Sequence, residues 1–423
     1  MKFKKQRLTR IAVLFALLFT LQACDVWTDE SLTTTIPIFP PSDSSSQTGD
    51  STNETSDVSG ETEPAQTDPS ATETTPSETL PTDSSVWEAT FTPVTVPDSA
   101  LVAAADETGL WQRWPSDLIT PVQVEVDLST YAGRAKSETA LEGITVILDP
   151  GHGGKDPGAI GVLDGVTIYE KDINLAIALQ TKARLEALGA RVVMTRSADQ
   201  WVSLYQRIAI AGNETISFWQ EGLNAQSLDS SWLDAIKPEL QKLVTINEDT
   251  VESGGRGFAQ GMGVVPNLRL LMDAQGQTDQ ILYIAIHANS TDVTIEDKRG
   301  LQMYISTNQI IYDSEREMIA LDPNDAEITP INPNYTAYND ADRLKLANSL
   351  YSSITGLVPE LKQGEITAFA GNFAFLRELN LASVLVETGF MSNAADLSIL
   401  VNPVQQAAIA DGIADGVWHY FSN

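Results

Sequence analysis

Three histidines occur in this chain of 423 residues, and two of them follow strand-like apolar runs. His152 and His287 each come just after such a run, and Glu387 does the same. Glu170 lies in the loop between the first predicted strand and the first predicted helix. Two imidazoles and a carboxylate are a common set of protein ligands for catalytic zinc. A further carboxylate nearby can act as the general base toward a water molecule.

The elements that must bring these side chains together alternate between apolar runs and helical patterns from residue 143 onward. This alternation predicts a mostly parallel α/β sheet. Ligands bind outside the carboxyl ends of the strands in such sheets, so the four residues can meet at one edge. The predicted strands span residues 144–148, 191–194, 281–286 and 383–386, and the predicted helices span residues 172–188, 204–211, 340–354 and 403–420.

Each signal taken alone also has a simpler interpretation. A histidine after a strand is more often a hydrogen-bonded structural residue than a metal ligand. The glycine-rich turn around His152 lacks both the Lys-Ser/Thr ending of a P-loop and the spacing of a dinucleotide fingerprint. Arg196 and Arg207 are predicted to be structural ion-pair partners. Packing roles are predicted for four other residues: His419, Phe369, Phe373 and Phe375.

The composition of the chain excludes one class of partner and two kinds of cysteine site. The chain has 26 basic and 57 acidic residues, a net charge of −31, whereas nucleic-acid binding needs clustered positive charge. We therefore expect no nucleic-acid partner. The single cysteine, Cys24, excludes an internal disulfide and a Cys-rich zinc site.

The first 142 residues divide into three parts by composition. Residues 1–24 have a basic start, a short apolar run and the ending Leu-Gln-Ala-Cys, which resembles the lipobox of bacterial lipoproteins. This resemblance implies lipidation at Cys24; the alternative is an ordinary signal peptide. Residues 25–98 are rich in Ser, Thr, Pro and acidic residues, which predicts a disordered linker. Residues 99–142 remain an extension of uncertain structure.

Several strings within residues 143–423 together resemble the zinc-dependent N-acetylmuramoyl-L-alanine amidases of the Amidase_3 type, in the family's order. The resemblance implies a twisted sheet flanked by helices. It also implies one zinc ion per chain, with His152, Glu170 and His287 as ligands and Glu387 as the catalytic glutamate. The strings are ILDPGHGGKDPGAIG, EKDINLAIAL, VVMTR, LYQRIAIAGN, IAIHANS and VLVETGFMSN.

The implied reaction is hydrolysis of the amide between N-acetylmuramic acid and L-alanine in peptidoglycan, as part of cell-wall turnover. With the predicted anchor, the implied location is the outer face of the cell membrane. Two other functions stay open: a zinc peptidase that cuts elsewhere in the stem peptide, and a wall-binding regulator without activity. The sequence does not indicate whether a partner protein activates the enzyme.

Two long segments depart from the resemblance. Residues 214–280 replace what is a short connection in the family, and a second insertion spans residues 306–338. Long insertions in compact domains are often lids over a site or disordered loops. We therefore expect either a gate over the metal edge or surface decoration.

Overall fold

A computed structural model describes residues 89–105, 108–109, 112–248, 266–291, 298–321, 339–364 and 368–423. Its strands are β1 (Ala89–Pro93), β2 (Ala104–Ala105), β3 (Gln112–Arg113), β4 (Val122–Val126), β5 (Thr145–Pro150), β6 (Ile160–Leu163), β7 (Val166–Tyr169), β8 (Arg191–Met194), β9 (Ile281–Asn289), β10 (Gln302–Ile305), β11 (Phe369–Ala370) and β12 (Ala382–Phe390). Its α-helices are α1 (Glu170–Ala187), α2 (Leu204–Ala225), α3 (Ile236–Ile246), α4 (Pro266–Gln275), α5 (Asn308–Leu321), α6 (Asp340–Leu357), α7 (Ala374–Arg377), α8 (Ala394–Leu400) and α9 (Pro403–Ser422).

Six of these strands form the central sheet, in the order β11-β10-β12-β9-β5-β8. The strands β12, β9, β5 and β8 run parallel to one another, and β10 is antiparallel to β12. The mostly parallel α/β sheet predicted from the sequence is therefore confirmed. In the pairing of β12 with β9, Glu387 lies directly opposite His287, so the register places these two residues side by side.

Local sequence explains where the main elements begin and end. The residues of β5 are nearly all buried, which suits a continuous apolar run covered on both faces of a parallel sheet. Helix α2 begins with a capping box, in which the Ser203 side chain accepts from the Gln206 amide and the Gln206 side chain accepts from the Ser203 amide. Helix α9 begins with an Asn402 cap and Pro403 in its first turn.

The main hydrophobic core lies between one face of the sheet and three helices. Alternate residues of β5, β9 and β12 point into it and meet apolar residues of α1, α6 and α9. Burying these side chains stabilises the fold by roughly 25 cal/mol for each Å² of apolar surface removed from water. The core thereby fixes β5, β9 and α1, the three elements from which the candidate metal ligands extend.

The folded part begins earlier than the composition predicts. Residues 89–98, assigned to the disordered linker, include β1, which pairs with β4. Phe91 of β1 is buried edge-on against Trp219, with ring centroids 5.4 Å apart. The prediction that the linker extends to residue 98 is wrong, because distant pairing and packing stabilise a strand whose own composition favours disorder. Residues 1–88, which include Cys24, the predicted signal peptide and the rest of the linker, lie outside the described residues.

The uncertain segment 99–142 packs on helix α4 through a buried arginine. Arg269 is fully buried and donates hydrogen bonds to the carbonyl oxygens of Ala100, Pro115 and Asp117. One turn later, the Asp273 carboxylate accepts from the amide of Ile119 at 2.7 Å. The extension is therefore tied to the insertion at residues 214–280 by buried hydrogen bonds.

The two predicted insertions are partly helical. The first extends α2 to Ala225 and then forms α3 and α4, while residues 249–265 lie outside the described residues. The second contributes α5, and residues 322–338 likewise lie outside them. None of the helices in the described ranges is both long and apolar enough to cross a membrane.

Replacement of Phe91 tests whether β1 belongs to the fold. We expect Phe91→Ala to lower the free energy of unfolding by about 3–5 kcal/mol, because it removes a buried ring from a packed site. Thr92→Ala is the matched control, since Thr92 is exposed on the same strand, and its effect should stay within about 0.5 kcal/mol. Urea unfolding measures both, and equal midpoints for the two variants would contradict the packing role.

Candidate metal centre

The structure brings the three predicted ligands together at one edge of the sheet. His152 follows the carboxyl end of β5, His287 lies near the carboxyl end of β9, and Glu170 is the first residue of α1. One possible ligand atom from each residue lies within 4.8 Å of the other two. Side chains far apart in the sequence thus converge because two neighbouring parallel strands end, and the first helix begins, at the same edge of the sheet.

Two glycines of the string that contains His152 are required by close approach. A Cβ atom on Gly151 would lie 2.1 Å from the His287 ring, and one on Gly158 would lie 2.5 Å from a carboxylate oxygen of Glu170. Any side chain at either position would push a candidate ligand out of place. The backbone conformation at His152 is left-handed (φ 61°), which is uncommon for a residue other than glycine.

Glu170 lies between the two imidazoles. One carboxylate oxygen is 3.0 Å from His152 Nε2, and the other is 3.0 Å from His287 Nδ1. The backbone amide of Ala159 donates to this carboxylate at 2.8 Å, and Asn174 donates to it at 3.0 Å. Burial alone would raise the pKa of Glu170, but hydrogen bonds from both histidines hold it well below its usual range.

The second nitrogen of His152 is held by another carboxylate. Asp156 accepts at 2.7 Å from Nδ1, which leaves Nε2 facing Glu170. Burial lowers the pKa of His152, but the bonds to Asp156 and Glu170 outweigh it and raise the pKa to about 10. The site therefore stabilises a positive charge between these two carboxylates. A carboxylate behind a histidine is a common orienting group in metal sites.

His287 has a different environment. Its ring stacks on Phe375, with centroids 5.8 Å apart and planes 7° from parallel. Burial lowers the pKa of His287, so the neutral imidazole that a metal requires is favoured at this position. The imidazole rings of His152 and His287 meet edge to face, with their centroids 4.9 Å apart.

Glu387 lies beside this cluster on the neighbouring strand. Its Oε2 atom is buried and has no hydrogen-bond partner among the described residues. Burial and the nearby charge of Glu170 raise the pKa of Glu387 well above its usual range. A buried carboxyl group with a raised pKa and an unpaired oxygen is suited to exchanging a proton with a bound molecule.

Two buried arginines hold the loop that carries His152. Arg207 forms a buried ion pair with Asp149 and donates to the carbonyl oxygens of Pro150 and His152 at 2.9 Å and 2.8 Å. Arg196 donates to the carbonyl oxygens of Pro150 and Gly151, both at 2.8 Å. The structural ion-pair role predicted for Arg207 is confirmed. Arg196 is also structural, but its described partners are backbone carbonyl oxygens.

The remaining sequence predictions have mixed outcomes. His419 packs beside Trp418 and lies 3.1 Å from the Ser353 hydroxyl, as a packing role predicts. Phe375 is buried, as expected of a core residue, yet it also stacks on a candidate ligand. Asp156 was missed, although it lies four residues after His152 within the family-like string. Asn174, one helical turn after Glu170, was also missed.

The donor set fits a divalent transition metal. Two imidazole nitrogens and one carboxylate match the ligands of catalytic zinc sites, which leave one position for water or substrate. The carboxylates of Asp156 and Glu170 lie 2.7 Å and 3.0 Å from the His152 ring nitrogens, so the site carries negative charge that favours a bound cation. The fold and this site together define the class of protein: an α/β protein with a candidate metal centre at the carboxyl edge of its sheet.

The sequence profile of the Amidase_3 family, described as N-acetylmuramoyl-L-alanine amidase, matches residues 146–218 and 264–419. The match covers more than half of the chain, and the chain belongs to this family. All four site residues lie within the matched ranges, and the gap at residues 219–263 falls inside the first insertion.

The chain is similar to individual curated proteins and solved structures over different shares of their length. The chain is 27% identical to the amidase AmiC of Neisseria meningitidis over 290 residues, which cover 66% of this chain and 52% of AmiC. It thus spans about half the length of that relative. It is 25% identical to AmiA of Salmonella typhimurium over 318 residues, covering 74% of this chain and 90% of AmiA. Among solved structures, it is similar to the catalytic domain of CwlV from Bacillus (Paenibacillus) polymyxa at 22% identity and a TM-score of 0.38, covering 66% of this chain and 97% of CwlV.

Removal of the Arg207 guanidinium tests the support of the loop. We expect Arg207→Met to lower the free energy of unfolding by about 3–5 kcal/mol, because the buried Asp149 carboxylate would lose its charged partner and keep only two hydroxyl donors, from Thr195 and Tyr283. Arg191→Met is the matched control, since Arg191 pairs with Glu214 at the exposed surface, and such pairs contribute only about 0–1 kcal/mol. Similar losses in the two variants, measured by urea unfolding, would contradict the role assigned to Arg207.

Proposed function

We propose that this chain is a zinc-dependent N-acetylmuramoyl-L-alanine amidase that hydrolyses the amide between N-acetylmuramic acid and L-alanine in peptidoglycan. The convergence of His152, Glu170 and His287 beside Glu387 supports this proposal most directly. The three would hold one Zn²⁺ ion, which when bound supplies a Lewis acid for the amide carbonyl and acidifies the attacking water. Family membership supports the choice of bond.

Glu387 would move the protons of the reaction. Its buried, unpaired Oε2 is available to accept a proton from the attacking water. Because its pKa is raised, the carboxyl group can hold that proton until it donates it to the departing amine of L-alanine. Glu170 would contribute its negative charge as a ligand while its carboxylate is held in place by Ala159 and Asn174.

We also propose that the N-terminal residues set where the enzyme acts in the cell. Residues 1–24 would direct export and Cys24 would carry the lipid anchor, so the enzyme would act at the outer face of the cell membrane in cell-wall turnover. The linker before Ala89 would let the anchored enzyme reach the wall. The gate suggested for the insertions has no support in the described residues, since none from 214–280 or 306–338 lines the cleft beside His152 and His287.

Replacement of Asp156 tests the metal site without replacing any of the three candidate ligands. We expect Asp156→Asn to weaken zinc binding about 10–100-fold, because the His152 imidazole loses the carboxylate that orients it and raises its basicity. The matched control is Asp164→Asn, in the turn between β6 and β7. Competition with a chelating indicator dye measures both affinities, and equal affinities would contradict the orienting role of Asp156.

The activity itself is tested by digesting purified peptidoglycan with the full-length chain and added zinc. Release of new amino ends on L-alanine would support the amidase, whereas other new ends would favour the peptidase alternative. We expect Glu387→Gln to lower the rate about 10²–10⁴-fold, the usual range for loss of a general base. The exposed Glu360→Gln is the matched control and should retain the rate.

Measurement of the zinc bound per chain distinguishes the remaining functions and tests the ligand assignment. Full zinc binding with no cleavage of any bond would favour the wall-binding regulator. A Glu387→Gln variant that binds zinc and keeps its rate would remove Glu387 from the reaction. Absence of zinc binding by the unaltered chain would overturn the ligand assignment.

A further inference from the structure

A small cleft opens directly beside the imidazoles of His152 and His287. Two of its lining residues, Asp149 and Arg207, already bind each other in the buried ion pair, so they offer little to a polar ligand. The rest of the wall is mainly apolar. Its apolar side chains are Trp201, Val202, Leu204 and Phe375, and the Asp156 carboxylate that also lines it is already bound to His152 Nδ1.

The size of the cleft restricts what can enter. Its volume is about 40 Å³, whereas a single water molecule needs at least about 10–15 Å³. A methyl group or another group of a few heavy atoms fits, and an aromatic side chain does not. Mainly apolar walls favour such a group over a polar one of the same size, because a polar group would lose its hydrogen bonds with water.

The walls are also held rigidly. A Cβ atom on Gly154 would lie 2.6 Å from the Trp201 amide nitrogen, so the two loops meet backbone to backbone. The Val202 carbonyl oxygen accepts from Arg207 Nε at 3.1 Å. Phe375 is stacked on His287 and on Phe373. A cleft framed in this way keeps its size when a ligand binds.

We propose that this cleft binds a methyl group next to the scissile amide and so positions the amide against the metal centre. The inference rests on the proposed function. The amide has a methyl substituent on each side: the lactyl methyl on the carbonyl side and the L-alanine side chain on the nitrogen side. Both are the same chemical group, and the cleft next to the two imidazoles accepts one of them.

Three synthetic muramoyl peptides distinguish the two sources. The first is the natural form, the second has a glycolyl group in place of lactyl, and the third has glycine in place of L-alanine. We expect the unaltered full-length chain with zinc to lose about 10-fold or more in kcat/KM when the bound methyl is missing. Removal of the other methyl group, which the cleft does not bind, should lower kcat/KM by less. Equal kcat/KM values for all three peptides would overturn the inference and leave the amidase proposal intact.

Variants of Val202 test the cleft itself. Val202→Leu should fill the cleft. The ratio of kcat/KM between the peptides with and without the bound methyl group should then fall toward 1. Val202→Ala should enlarge it and improve the relative kcat/KM of a peptide with an ethyl group at the same position. Val124→Leu and Val124→Ala are the matched controls, because both valines are 8% exposed and Val124 lies in the N-terminal extension. An unchanged preference in the Val202 variants would overturn the assignment.

Binding provides a second measurement that does not depend on turnover. The Glu387→Gln variant can be titrated with the same peptides by calorimetry, and the methyl preference should appear as a difference in Kd. A natural peptide that the unaltered chain does not cleave would overturn the amidase proposal, and this inference with it. Cleavage without any methyl preference in kcat/KM and Kd would overturn this inference alone.

Discussion

The carboxylate of Glu170 lies between two imidazoles, and much of the surrounding structure keeps it there. A buried carboxylate needs compensating partners, and Glu170 has them from His152, His287, Asn174 and two backbone amides. These partners come from three parts of the chain: the loop after β5, the carboxyl end of β9, and α1 itself. The arrangement is possible only if β5 and β9 end, and α1 begins, at one edge of the sheet, which the hydrophobic core ensures.

The loop that carries His152 shows how a flexible composition becomes a rigid site. Its glycines permit close approach of the backbone to His287 and Glu170. The same lack of side chains would leave the loop mobile in isolation. Arg207 and Arg196 offset that freedom by hydrogen-bonding the carbonyl oxygens of Pro150, Gly151 and His152. Because the arginines are buried and charged, these bonds are stronger than bonds between neutral groups.

The N-terminal extension lies outside the matched family ranges, yet it is packed firmly against the rest of the fold. Strand β1 and the segment after it pack on α2 and α4, through Phe91 against Trp219 and through Arg269 against three carbonyl oxygens. Trp219 itself is fully buried and donates to Thr278 at 2.9 Å. The extension and the first insertion therefore stabilise each other, on elements separate from the candidate metal ligands.

The amino-acid sequence by itself determined the sheet class, the four parallel strands β5, β8, β9 and β12, the helices α1, α2, α6 and α9, and the four candidate residues of the site. Local hydrophobic periodicity encodes the elements, and a polar residue just after an apolar run marks the carboxyl end of a strand. It could not determine β1, whose composition is that of a linker and whose stability comes from β4 and Trp219, both distant in sequence.

The tertiary structure alone decided that Asp156 orients His152, that Phe375 stacks on His287, and that a small, mainly apolar cleft adjoins both imidazole rings. These features depend on side-chain distances between separate elements, which no local pattern in a single sequence specifies.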